Sequence, residues 1–209
     1  MSNDPTLGLS VREHLDRSIE QIRWIQQNLN GVVIQAMPTS LRHQLAGATL
    51  HVAVEHHQAI VLLIEQQVYA SAFALLRSLF EAYIRGAWLG TLATDAEVER
   101  ADRDNFPEFG AMVKALETGN ALPVGSMSKL KNDAWGMLNS LTHTGRAQRN
   151  NRLTVEGLGH RYDDQQLHEA LNVADSLAFF VTLEFARLAE NAVLRDAINT
   201  RVVETFTEA

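Results

Sequence analysis

The segment YASAFALLRSLFEAYIRGAWLGTL, Tyr69–Leu92, decides the fold class. It is long enough to cross a bilayer, but Arg77, Glu81 and Arg85 sit in its middle, each at an insertion cost of several kcal/mol. It therefore reads as a core helix, apolar nearly all round and packed on several sides. The three charges are spaced four apart, a drift of only about 40° per step around a helix axis, so they stack along one stripe. Ser71 and Ser78 lie near that stripe, while Leu75, Leu76, Leu79, Phe80, Ala82, Tyr83 and Ala87 fill the rest of the circumference. A charged stripe on so oily a helix points inward or lines a cleft.

Outward from this rod, helical periodicity continues in both directions. Upstream, a helix beginning near Pro38 carries Leu45, Val52, Ala59 and Leu63 to about Gln66, alternating oily and His-rich faces. Before it, Ser10 and Glu13 have capping-box spacing, and Val11, Leu15, Ile19, Ile22 and Ile25 or Leu29 recur at helical intervals until Gly31. Downstream, Thr94 or Asp95 caps a short helix, Pro107–Glu117 forms another, and glycines and a proline break the pattern over Gly119–Ser126. Ser126–Thr142 is helical again and closes at Gly145, followed by a polar, arginine-bearing loop to His160. Asp163 or Asp164 then opens a long helix through Leu167, Leu171, Ala174, Val181, Phe185 and Leu188, with a break near Asn191. The expectation is an all-α, up-and-down bundle of four to five long helices with short extra helices, forming one domain over residues 1–209.

Composition agrees. Four prolines and twelve glycines in 209 residues leave too little punctuation for an all-β chain, and 46% apolar with 21% charged residues is the profile of a folded globular protein. With no cysteine, disulfides, thiolate nucleophiles and cysteine-ligated metals are excluded. Met1–Ser10 has neither a basic segment nor an apolar run, so a cytoplasmic location without membrane attachment is expected. A net charge of −7 argues against non-specific attachment to nucleic acid or anionic lipid, and no double-stranded DNA partner is expected.

The ladder is the first place for chemistry. A Glu flanked by two Arg forks is largely compensated and leaves one guanidinium with donors to spare, which suits an anion. An ion-pair ladder that only ties helices together is the other reading. His143, in the last turn before Gly145 beside Asn139, Thr142 and Thr144, is an acid/base candidate or a cap for the final carbonyls. His51 and Glu55 share a face, with His56 and His57 following, but no Glu-x-x-His pair accompanies them, so no metal and no cofactor is expected. Instead, one of these histidines is expected to hydrogen-bond to the ladder while the others are partly exposed. Lys129, Lys131, Arg146, Arg149, Arg152 and Arg161 face only Asp133 and Glu156 over Ser126–Arg161, a locally basic stretch with few aromatics to stack on bases. Phosphate loops and Gly-x-Ser-x-Gly elbows do not occur.

The block LLRSLFEAYIRGAWL, Leu75–Leu89, together with LNSLTHTG, Leu138–Gly145, resembles uncharacterised bacterial helical proteins related to HEPN-like bundles. The resemblance implies that Arg77, Glu81, Arg85 and His143 converge in one interhelical site. It also implies a homodimer and a nucleotide or RNA ligand, because some HEPN proteins are metal-independent RNases or toxins that use an Arg-x(4 to 6)-His motif across a dimer. Asn139 stands upstream of His143 where that motif has Arg, and Arg161 with His168 has the spacing without the context. The expected site thus has Arg85 and His143 as catalytic candidates and Arg77, Glu81, Arg85, Asn139 and His51 as ligand contacts. The competing reading is a non-catalytic dimeric interaction or scaffold protein.

Overall fold

Ala, Leu, Arg and Glu dominate the central segment and proline is absent from it, so helix is its favoured state over Tyr69–Thr91. In the computed structural model, which describes residues 9–119, 127–129, 142, 145–155 and 157–207, this helix is the third of the chain. The order is α1 (Leu9–Leu29), α2 (Leu41–Glu65), α3 (Tyr69–Thr91), α4 (Asp95–Ala101), α5 (Phe109–Thr118), α6 (Arg146–Asn150), the two-residue strands β1 (Leu153–Thr154) and β2 (Gly157–Leu158), α7 (Asp164–Leu188) and α8 (Ala192–Thr207). Among the described residues the protein is all-α apart from that small antiparallel hairpin, in which Leu153 pairs with Leu158 and Thr154 with Gly157. Among the described residues no helix is long and apolar enough to cross a membrane.

Helices α2 and α3 form an antiparallel pair turned at Gln66–Val68, where Gln67 takes the left-handed conformation at φ 59°. Their seam is tight because Gly86 has no side chain: a Cβ there would lie 2.7 Å from Cγ of Leu50. Helix α7 packs on both, α1 and α8 pack on α7, and α5 and α4 lean on α3 and α2. Leu50, Ile60, Ile64, Leu79, Phe80, Ile84 and Leu89 of the pair are fully buried with Leu171, Ala174 and Val181 of α7. Each of the larger side chains gains roughly 1.5–3 kcal/mol by leaving water. A smaller cluster of Phe179, Ala186, Leu194 and Ile198 fixes α8, with Trp24 and Leu29 of α1 packed against both clusters.

Boundaries follow local chemistry. Ser40 rather than Pro38 starts α2, because the Ser40 hydroxyl accepts the His43 N–H, and Pro38 lies in the preceding turn, where the Thr39 and Ser40 N–H groups donate to the Ala36 carbonyl. Thr94 with Glu97, and Asp163 with Gln166, form full capping boxes at α4 and α7. Arg42 donates to the Leu89 carbonyl at 2.9 Å and to Asp95 at 2.8 Å, tying the end of α3 to the start of α4. The stretch after Gly145, expected as a loop, instead contains α6 and the hairpin. Glu190 at φ 51° ends α7, and the Asn191 side chain accepts from the Leu194 N–H to open α8. Most of the expected helix over Ser126–Thr142 lies outside the described residues.

Candidate functional site

Arg77, Glu81 and Arg85 meet on one stripe of α3. Arg77 Nε donates to Glu81 Oε1 at 2.7 Å, and Arg85 Nη2 lies 3.2 Å from Glu81 Oε2. Their side chains are 21%, 20% and 40% exposed, so the ladder is half sunk and its outer rung is Arg85. One carboxylate between two guanidinium groups leaves a formal charge of +1. Arg85 also stands over the Phe106 ring, its guanidinium carbon 5.0 Å from the centroid, in cation–π range. Phe106 comes from the α4–α5 connection and leans on Trp88. Arg85 Nε is buried and has no hydrogen-bond partner among the described residues.

Two other candidates, Asn139 and His143, lie outside the described residues. Thr142, the neighbour of His143, donates to the Ala74 carbonyl of α3 at 3.3 Å, one turn ahead of the ladder, and Gln148 donates to the Ala70 carbonyl at 3.3 Å. Thr142 and Gln148 are thereby both tied to α3. His51 is elsewhere. Its ring lies 3.7 Å from Glu55, both side chains are 66% exposed, and both line a cavity of about 1010 Å³ with Ile25, Leu29, Ile34 and Phe185. None of the three ladder residues lines that cavity.

The expectation that a histidine of α2 would bond to the ladder is corrected by the structure. His57, 1% exposed, turns instead to α7, where its Nε2 lies 2.8 Å from Asp175 Oδ1. The geometry of α2 explains the choice: His57 shares the buried face of Ala53, Val54, Ile60 and Val61, which α7 covers. A second polar cluster assembles around this pair. The Ser18 hydroxyl of α1 is 2.6 Å from Asp175 Oδ2 and 3.1 Å from the His14 carbonyl; with one proton to give, it donates along the shorter contact, to the carboxylate. Gln21 donates to the Asp175 carbonyl at 2.9 Å, and His14 Nε2 is 3.5 Å from Oδ2. Farther out, His14 Nδ1 meets His168 Nδ1 at 2.9 Å, the rings stack with centroids 5.2 Å apart, and His168 Nε2 lies 3.2 Å from Ser10 Oγ. Burial alone would raise the Asp175 pKa, but hydrogen bonds from His14, His57 and Ser18, with the His57 charge, outweigh it and hold the carboxyl below its ordinary range.

This cluster unites residues up to 158 positions apart, which no local spacing reveals. Two signals do precede it in the sequence. Ser10, His14, Ser18 and Gln21 recur at helical intervals beside the apolar stripe of α1, and Asp175 is a lone acid in the oily run Leu171–Leu183. Among the described residues no group of three or more His, Asp or Glu is arranged to hold a metal ion.

No curated protein and no solved structure matches the chain. Residues 50–208 match the model of a family described as a family of unknown function, DUF6988, and the chain belongs to that family.

Proposed function

We propose that this chain is a HEPN-like helical bundle that binds an anionic ligand, a nucleotide or RNA, at the α3 ladder. The observation that carries the reading is Arg85: two-fifths exposed, sharing Glu81 with Arg77, and braced on Phe106. A guanidinium so held has its plane fixed and keeps donors for a phosphate, which is the arrangement that bidentate anion recognition needs. The contact of Thr142 with Ala74 supports bringing His143 to the same stripe. In this reading Asn139 adds a polar contact and His143 is the acid/base group for metal-independent phosphodiester cleavage. A homodimer through a long helix belongs to the same reading. His51, on the separate cavity, has no part in the ladder's ligand shell.

The short Arg77–Glu81 bond at about one-fifth exposure favours a second reading, in which the ladder only fixes helix register. One pair of variants separates them. Under anion binding, Arg85→Gln weakens binding of a fluorescent single-stranded RNA or of a nucleoside triphosphate at least ten-fold while the melting temperature stays within a few degrees. Under the register reading, neither probe binds the wild-type chain, and Glu81→Ala lowers stability by about 1–2 kcal/mol, less than a fully buried pair would cost because water screens the ladder.

A further inference from the structure

The contact between His14 and His168 is a hydrogen bond that requires one hydrogen, not two, between the facing nitrogens. At 2.9 Å, two imidazole Nδ1 atoms attract when one carries hydrogen and the other offers its lone pair. Two N–H groups facing each other at that distance repel, and two imidazolium rings with centroids 5.2 Å apart add like-charge repulsion. The neighbouring groups offer a single carboxylate against a second positive charge. The groups that meet here are Ser10, His14, Ser18 and Gln21 from α1, His57 from α2, and Asp175 and His168 from α7. Asp175 is the one acid among them, and it already accepts from His57 and Ser18 and faces His14 Nε2 at 3.5 Å. His168 is half-buried and next to solvent, whereas His14 is 6% exposed, so the outer ring is the one free to leave.

We propose that His14 and His168 form an acid-released latch that holds α1 against α7. The pair keeps the bond when neutral and after taking up one proton, whereas a second added proton puts N–H on both Nδ1 atoms and breaks it. Val11, Leu15 and Ile25 anchor α1 in the core, while its polar contacts to α7 run through Ser10, His14, Ser18 and Gln21, so the latch adds to an apolar docking. The C-terminal half of the same helix supplies Ile25, Gln26, Gln27 and Leu29 to the wall of the 1010 Å³ cavity. Opening of the latch in acid therefore changes access to that cavity as well as the cover over His57 and Asp175. The family match begins at residue 50, within α2, so α1 lies outside the matched segment while His57, His168 and Asp175 lie inside it.

The absence of native cysteine allows the test to be made on the full chain with spin labels at Arg17→Cys and Asn172→Cys, both exposed positions on α1 and α7. The expected result is a single narrow label distance at pH 7.5 that broadens and lengthens reversibly by pH 5.0, while helical circular dichroism persists. His168→Gln, whose amide donates to His14 without titrating, should keep the narrow distance at both pH values. Hydrogen exchange on the unlabelled chain, with times scaled for intrinsic rate, provides a second measurement. There α1 amides should lose at least ten-fold more protection than α2 and α3 amides in the wild type, and no more than those amides in His168→Gln. A wild-type α1 equally docked at both pH values, or a His168→Gln variant that loses α1 as readily as the wild type, overturns the latch.

Discussion

Asp175 keeps its charge in a place that should strip it, because donors from two other helices converge on its two oxygens: Ser18 at 2.6 Å, His57 at 2.8 Å and His14 at 3.5 Å. Asparagine at this position would turn an NH₂ group toward one of those donors and leave a buried hydrogen bond unmade. Asp175→Asn should therefore cost about 2–4 kcal/mol at pH 7, read from urea denaturation midpoints, since charge-assisted buried bonds exceed neutral ones. Most of the individual residues that matter were not legible from the sequence. The ladder was, because a period of four on one helix is local information. The His57–Asp175 pair was not, because its partners are 118 positions apart and a lone histidine on an oily face looks the same whichever helix covers it.

Helices were more legible than contacts. Local signals place helix starts at Thr94 or Asp95 and at Asp163 or Asp164 and a break near Asn191, and the capping boxes of Thr94 and Asp163 decide between the paired candidates. The start of α2 was misplaced, because Pro38 and Ser40 both carry start signals and only the Ser40 bond to His43 decides between them. The hairpin after α6 escaped for a similar reason: strands of two residues have no measurable alternation. At this scale the α2–α3 seam makes a sharp prediction. Alanine normally improves a helix over glycine by about 1 kcal/mol, yet a methyl group at Gly86 would sit 2.7 Å from the branch of fully buried Leu50. Gly86→Ala should destabilise the protein by about 1–3 kcal/mol through overpacking, and Leu50→Ala in the same chain should recover part of that loss. A thermal denaturation cycle over the two single variants and the double variant measures the coupling; additive losses would show that the seam has slack.

For the molecule as a whole, α7 is the element on which α1, α2, α3 and α8 all rest, and it carries two buried acids whose shifts oppose each other. Asp175 is held below its ordinary value, so the folded chain releases its proton more readily than the unfolded chain. Its contribution to stability is complete above the unfolded pKa, near 3.8, and is lost as pH falls through the folded value. Glu184 runs the other way. Burial raises its pKa above the ordinary 4.5, only partly offset by the Arg187 charge and the 2.7 Å bond from Arg187. The folded state therefore holds this proton more tightly than the unfolded state, and stability falls as pH rises through the folded pKa of Glu184. Glu184→Gln removes the buried charge while keeping shape and an acceptor for Arg187. Its denaturation midpoint should exceed the wild-type value at pH 7, and the gain should shrink toward zero below pH 4.5, where Glu184 is protonated in both states. Asp175→Asn should show the opposite profile, a deficit at pH 7 that closes only in stronger acid. Guanidinium titrations of both variants from pH 7.5 to 3 distinguish the two acids, and equal pH slopes for both would mean that their environments on α7 do not differ as the packing requires.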